Sequence, residues 1–332
     1  MIIAEIGQAH DGSLGNAHAY IDALADTGVD AVKFQTHIAA AESSKFEPFR
    51  VKFSKQDDSR YAYWERMEFT SDQWKGLKYH CDEKGLQFIS SPFSNAAVNL
   101  LEDLQVQCYK IGSGEVGNFL MLEKIAKTGK PIILSSGMSS FEELDKTIGF
   151  LTPFGNQLSV LQCTTAYPTS PEHWGLNVIR QLKERYALPV GFSDHSGDIF
   201  ACLAAATLGA DLFEFHVVFD KRQFGPDSVA SISIDQAKYL CEGIRQIEIA
   251  RANPVIKSEN QKYSELKVMF GKSLAVNKDL QKDHVLTADD LESKKPGDKG
   301  ITAAAYHAVL GKKLKCNIDK WSFLTEEDLY TE

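Results

Sequence analysis

Apolar runs of six to eight residues recur along the first 220 positions, each followed by a polar turn and a longer amphipathic stretch. They read as strands at 2–7, 31–36, 87–93, 108–114, 131–137, 158–164, 189–194 and 212–219. Between them lie segments such as NAHAYIDALADTG, NFLMLEKIAKTG and FACLAAATLGA, with apolar residues at spacings of three and four. That spacing predicts helices, and the glycines ending several of them are the expected stops. Strands alternating with helices imply a parallel sheet. Eight such units in about 250 residues favour an α/β fold closed into a (β/α)8 TIM barrel over an open doubly wound sheet.

Two segments break the rhythm. Residues 38–70 are too long for a simple connection between strand and helix. They read either as a loop serving the barrel's active-site face or as a surface insertion with a small hairpin. After Ala250 the strand signal disappears, then short strands are expected at SLAVN and KKLKCN. Two similar phrases, DLQKDHVLTADDL and NIDKWSFLTEEDL, each place a Thr before two acids, which suggests a capped turn. The expected organisation is a catalytic barrel over 1–252, a linker over 253–269 and a small β-rich domain over 270–332.

Composition narrows the class. Of the 332 residues, 43% are hydrophobic, enough for a sizeable core, which argues against a disordered chain. The formal net charge of -9 argues against a nucleic-acid-binding surface, but a few lysines in a pocket could still hold a small anion. No run approaches the roughly twenty apolar residues of a membrane span, and MIIAEIGQAH lacks the basic start of a signal peptide. Six cysteines are scattered without a CxxC pair, so no disulfide framework or zinc knuckle is expected, and a cytoplasmic location is the simplest reading.

In a barrel, catalytic groups sit at the C-terminal ends of the strands. Those ends carry Glu5 and His10; Lys33, Gln35 and His37; Ser90, Ser91 and Ser94; Lys110, Ser113 and Glu115; and Ser135 and Ser136. The later strands add Thr164, Thr165 and Tyr167; Ser193, Asp194 and His195; and Glu214, His216 and Asp220. Two lysines with a ring of hydroxyls suit a small anion bearing phosphate and carboxylate groups. Two histidines on neighbouring strands suit a divalent metal with open positions. Alone, a histidine on a strand reads first as a hydrogen-bonded core residue and a serine at a strand end as a helix cap; their joint appearance at matching strand ends is the stronger signal.

In order along the chain, IIAEIGQAHDGSL, VKFQT, YKIGSGE, ILSSGMS, CTTAYPT, GFSDHSG and GPD resemble the motifs of the sialic acid (nonulosonate) synthases. KKPGDKGI resembles the RPGxGI phrase of the antifreeze-like (SAF) domain that follows their barrel. The resemblance covers nearly the whole chain. It implies a TIM barrel with a C-terminal SAF domain, and a domain-swapped homodimer in which each small domain caps the partner's barrel. It also implies a condensation of phosphoenolpyruvate with an N-acetylated amino-sugar aldehyde, either N-acetylmannosamine or a 2,4-diacetamido-trideoxyhexose. The products would be a nine-carbon 2-keto acid and phosphate. The cofactor would be a divalent metal, typically manganese, with magnesium or cobalt as alternatives.

By position, the resemblance makes His195 and His216 the metal ligands and Glu115 the catalytic group. Lys33, Ser91, Lys110, Ser113, Ser135, Thr165 and Ser193 would hold phosphoenolpyruvate. Glu5, Gln35, Tyr167 and Asp227 would face the sugar, with Lys295 reaching it from the partner subunit. Glu115 is expected beside lysines and ionised, or as a salt-bridge partner of Lys110. The chain departs from the family at Ala9, Thr165, Phe215–Val218 and Ser228, and at Lys295, where the family has arginine. Lysine has no planar fork, which opens the identity of the sugar. A heptulosonate- or octulosonate-type synthase, a metal-dependent barrel hydrolase and a non-catalytic sugar-binding homologue are the alternatives.

Overall fold

The computed structural model describes residues 1–51 and 53–330. Lys52 in the insertion and the last two residues of the expected small domain lie outside them. The chain divides into two compact units, Met1–Asn253 and Pro254–Glu332.

The first unit is a closed barrel. Its strands are β1 (Ile2–Gly7), β2 (Ala31–Thr36), β3 (Gln87–Pro92), β4 (Tyr109–Ile111), β5 (Ile132–Ser135), β6 (Leu158–Cys163), β7 (Val190–Asp194) and β8 (Phe213–Val218). Each pairs in parallel with the next, and β8 pairs with β1 to close the ring. A two-residue strand, β9 (Ile232–Ser233), pairs in parallel with the end of β8. The helices are α1 (Leu14–Ala25), α2 (Ala39–Glu42), α3 (Arg60–Met67), α4 (Ser71–Glu83), α5 (Asn95–Asp103), α6 (Phe119–Ala126), α7 (Phe141–Leu151), α8 (Leu176–Tyr186), α9 (Phe200–Thr207) and α10 (Ile234–Ala252). Capping boxes start three of them, at Thr70 with Gln73, Ser140 with Glu143 and Ser233 with Gln236.

Inside the barrel, strand alternation sorts the chemistry into layers. Ile3, Ala31, Ile89, Cys108, Ile133, Leu161 and Leu212 form an apolar plug. Gly191 fits that layer because a Cβ there would lie 2.4 Å from the Leu212 carbonyl oxygen and 2.5 Å from a Leu161 methyl group. Two residues further along each strand come Glu5, Lys33, Ser91, Lys110, Ser135, Cys163, Ser193 and Glu214, all buried. A period of two thus turns a hydrophobic floor into a polar layer within one step.

The insertion between β2 and α4 differs from the hairpin reading: its described residues form no strand. It folds around α2 and α3, with Ala39, Tyr63, Trp64 and Met67 buried as a separate cluster backed by Phe49, Phe53 and Tyr61. RYAYWERM carries its apolar residues at helical spacing, which decides the outcome.

The second unit has its own core, including Leu274, Val276, Leu286, Leu314, Leu324 and Leu329. It begins with α11 (Ser264–Phe270), and β10 (Ser273–Val276) pairs antiparallel with β11 (Leu291–Lys294). The expected strand at KKLKCN forms only single bridges, from Lys313 to Val285 and from Leu314 to Leu329. The two similar phrases fold alike. Each has a capping box, Thr287 with Asp290 and Thr325 with Asp328, and a left-handed residue four positions before the Thr, at Asp283 and Trp321.

Candidate active site

A cavity of about 360 Å³ opens above the polar layer, at the C-terminal ends of the strands. Its wall contains every barrel residue assigned a role from the resemblance: Glu5, Lys33, Gln35, Ser91, Lys110, Ser113, Glu115, Ser135, Thr165, Tyr167, Ser193, His195, His216 and Asp227. Lys295 belongs to the second unit.

The floor of the cavity is a buried network of two acids and two lysines. Lys33 Nζ lies 2.5 Å from Glu5 Oε1 and 3.8 Å from Glu214 Oε2. Lys110 Nζ lies 3.2 Å from Glu214 Oε1 and donates to Ser135 Oγ at 2.7 Å. Ser193 Oγ donates to Glu214 at 3.0 Å. The opposite charges make burial tolerable, since an unpaired charge at this depth would cost several kcal/mol. Burial works against ionised Glu5, yet His216, Lys33 and Lys110 hold its carboxyl well below the usual range. Burial likewise opposes a charged Lys33, but Glu214 and Glu5 keep it protonated. Glu214 Oε2 is buried with no hydrogen-bond partner among the described residues, and Lys33 Nζ faces it at 3.8 Å.

Hydroxyls gather at the ends of β4, β5 and β6. Ser113 Oγ accepts from the Gly137 amide at 3.1 Å. A Cβ on Gly137 would lie 2.5 Å from Thr165 Oγ1, 2.7 Å from Ser113 Oγ and 2.9 Å from Cys163 Sγ. The bare glycine therefore keeps two hydroxyls, a backbone amide and a thiol around one small space beside Lys110. Such a cradle suits a tetrahedral oxyanion.

His195 and His216 line the same cavity, with ring centroids 5.3 Å apart and Tyr167 against both. His195 Nδ1 donates to the Thr164 carbonyl at 2.9 Å, so in the neutral ring Nε2 carries the lone pair that could ligate a cation. Burial opposes its protonation, while Cys163 Sγ at 3.7 Å, the Thr164 carbonyl and Glu5 raise its pKa. His216 Nε2 faces Glu5 Oε2 at 3.2 Å. The donor set suits a borderline divalent cation held by two imidazoles, with room for exchangeable ligands. Among the described residues no cluster of three or more His, Cys, Asp or Glu side chains has metal-binding geometry.

Several expectations change. Glu115 does not meet Lys110 and is not beside the lysines. Its Oε2 accepts from Asn118 Nδ2 at 2.7 Å, and burial raises its pKa, with a smaller push from Glu42. The carboxylates paired with lysine are Glu5 and Glu214. His10 stays outside the cavity: it is buried, stacks on Phe69 at 4.8 Å and accepts from the Gly12 amide. Ser90 bonds Thr36, Ser94 caps α5, Ser136 bonds the Leu161 carbonyl, and Asp220 pairs with Arg222. Asp194 accepts from both the amide and the hydroxyl of Ser196, tying down the turn after β7.

The insertion adds wall residues that strand-end reasoning missed: Glu42, Glu47, Arg50, Arg60 and Trp64. Arg50 bonds Asp227 at 2.7 Å and lies over the Tyr167 ring at 4.1 Å. The sequence signal was the insertion's mixture of arginines and aromatics.

Residues 20–255 match the NeuB family, and residues 271–329 match the SAF domain. The chain belongs to the NeuB family. It is 36% identical over 318 residues to N,N'-diacetyllegionaminic acid synthase of Campylobacter jejuni, covering 94% of this chain and 95% of that one. Human N-acetylneuraminate-9-phosphate synthase is 32% identical over 335 residues, with 98% and 91% covered. The crystal structure of N-acetylneuraminic acid synthetase from Leptospira borgpetersenii, in complex with citrate, superposes with a TM-score of 0.70 at 27% identity, covering 80% of this chain and 90% of that chain. The NeuB family member described here is thus an enzyme, a carbon–carbon bond-forming transferase of the nonulosonic acid synthase type.

Proposed function

We propose that this enzyme condenses phosphoenolpyruvate with an N-acylated amino-sugar aldehyde, giving a nine-carbon 2-keto acid and inorganic phosphate. The observation that carries the reading is the set of groups that one cavity brings together. Two lysines, a hydroxyl cradle and two buried histidines line it together, with the Glu5 carboxylate shared between Lys33 and His216. Lys33 and Ser91 suit the carboxylate of phosphoenolpyruvate. Lys110, Ser113, Ser135, Thr165 and Ser193 suit its phosphate. Glu5, Gln35, Tyr167 and Asp227 suit the sugar. Lys295 of the partner subunit would complete the sugar site in a domain-swapped homodimer.

His195 and His216 would hold a divalent cation, with manganese the first candidate. When bound, the cation would polarise the aldehyde as a Lewis acid. The chain's own groups account for the rest. C3 of phosphoenolpyruvate attacks the aldehyde carbon, its double bond becomes the new carbon–carbon bond, the carbonyl pair moves onto the aldehyde oxygen, which takes up a proton to become a hydroxyl, and C2 is left electron-poor. Water adds at C2 and loses a proton, and the tetrahedral hemiketal phosphate collapses with C–O cleavage to the 2-keto acid and phosphate. Glu115 stands at the cavity wall with a raised pKa, so it accepts that proton near neutral pH better than an ordinary carboxylate does. Lys110 and the cradle hold the departing phosphate.

The test is phosphate release from phosphoenolpyruvate. It should require both an acylated amino sugar and manganese, and should stop with a chelator. Release that no sugar in an acetamido-hexose panel stimulates removes the proposal.

A further inference from the structure

Tyr63 and Gln8 have no place in the chemistry above, yet hydrogen bonds join them to its centre. Tyr63 lies on α3 in the insertion and is buried. Phe53 holds its ring edge-on at 5.0 Å. Its hydroxyl donates to Gln8 Oε1 at 2.6 Å. Gln8 Nε2 donates to Gln35 Oε1 at 3.2 Å, and Gln35 Nε2 donates to Glu5 Oε1 at 2.8 Å. Three hydrogen bonds in a row thus run from the insertion to the carboxylate beside His216.

Glu5 sets the direction of the whole row, because an ionised carboxylate only accepts. Gln35 must turn its NH2 to Glu5 and its oxygen to Gln8. Gln8 must turn its NH2 to Gln35 and its oxygen to Tyr63, so Tyr63 must donate. Burial pushes the phenol's pKa up, and it keeps the proton it gives to the row. At the far end, Glu5 Oε1 takes two donors, Lys33 and Gln35, and Glu5 Oε2 faces His216 Nε2 at 3.2 Å. Lysine is a point charge on a flexible stem and can hold either carboxylate oxygen. The directed amide donor is what fixes which oxygen faces His216. His37 Nε2 also lies 3.2 Å from Gln35 Oε1, and His37 Nδ1 lies 2.6 Å from Glu42 Oε1. Gln35 is therefore held from the start of the insertion by His37 and from α3 by Tyr63 through Gln8. Losing one of these holds weakens the aim of Glu5 without abolishing it.

We propose that Tyr63, acting through Gln8 and Gln35, is a positioning residue that aims the Glu5 carboxylate at the His216 side of the cavity. This rests on the reading of His216 as a cation ligand and of Glu5 as a sugar contact, and it gives the insertion a part in both.

The experiment uses the full-length enzyme. Manganese binding is titrated by electron paramagnetic resonance without substrates. Phosphate release is measured with the acetamido-hexose that supports it best. Tyr63→Phe keeps the ring in its aromatic cluster and removes only the donor. It should raise the Kd for manganese and the KM for the sugar about fivefold each, the worth of one neutral hydrogen bond. KM for phosphoenolpyruvate should stay within twofold. Gln8→Met, an unbranched apolar chain, should raise the same two constants at least as much. In the double variant the losses should not add, because Tyr63 acts through Gln8. Tm of each variant reads any loss of packing, which alone would not single out these two constants. Unchanged manganese affinity and sugar KM in both single variants overturn the assignment, as do additive losses in the double variant. If no sugar supports phosphate release, the synthase reading falls instead, and the manganese titration still tests the row.

Discussion

At the scale of single residues, the site turns on which carboxylate is left free. Glu5 and Glu214 are both paired with lysines at the cavity floor. Glu115 lies apart from the lysines, half-buried, with its pKa raised by burial and only partly lowered by Asn118. Activity requiring its carboxylate should be full at high pH and fall on the acidic side, starting above the pH at which an ordinary glutamate titrates. Asn118→Asp keeps the cap on the Met121 amide but puts a negative charge where a hydrogen-bond donor stood. Its acidic limb in a kcat/KM profile should move to higher pH. Glu115→Gln should lose about 10²–10⁴-fold in kcat, the usual worth of a positioned base, with no acidic limb from this group. An unmoved limb in Asn118→Asp, together with near-normal turnover in Glu115→Gln, would assign the proton to another group.

At the scale of elements, the segment after β1 carries a second titration, unrelated to catalysis. His10 locks this segment against Phe69, just before α4. Burial, then His37 and Arg66, push its pKa down to about 3. The folded state therefore binds this proton far more weakly than the unfolded chain, whose histidine titrates near 6.5. The contribution to stability is complete above that value and is lost as pH falls through it, at about 1.4 kcal/mol per unit. Between pH 7.5 and 5, urea unfolding should show wild type losing about 2 kcal/mol more than His10→Gln. Parallel losses in the two proteins would show that His10 is protonated in the fold. The same histidine shows what the sequence can and cannot disclose. The strands were legible because each is a short apolar run between helical stretches, and the site residues because the strand period of two places them two steps beyond the plug residues. His10, Ser90 and Ser136 carry the same chemistry at the same strand ends, and only packing shows that they point away from the cavity. Arg60 and Trp64 were illegible for the opposite reason. The insertion has no strand period to anchor it, and its helix packs on a private aromatic cluster.

At the scale of the molecule, the two units are separate in their interiors. The main core stops at Ile244, and the second contains only residues from Leu274 onward. Every residue assigned to phosphoenolpyruvate lies in the first unit, and only Lys295 lies in the second. In a domain-swapped dimer, the active centre would combine Glu115 of one chain with Lys295 of the partner subunit. That arrangement makes two defective chains complementary. Lys295→Ala should raise KM for the sugar about tenfold or more while leaving KM for phosphoenolpyruvate near wild type, because lysine here supplies charge at the sugar alone. Mixing it with Glu115→Gln and allowing subunits to exchange should form mixed dimers. In each, one barrel has its own intact Glu115 and an intact Lys295 from the other chain. With random pairing, about one quarter of all sites regain the wild-type pairing. Phosphate release at low sugar concentration should rise to that level above the mean of the two parents. If Lys295 serves its own barrel instead, no mixed dimer contains a complete site and the mixture stays at the parental mean.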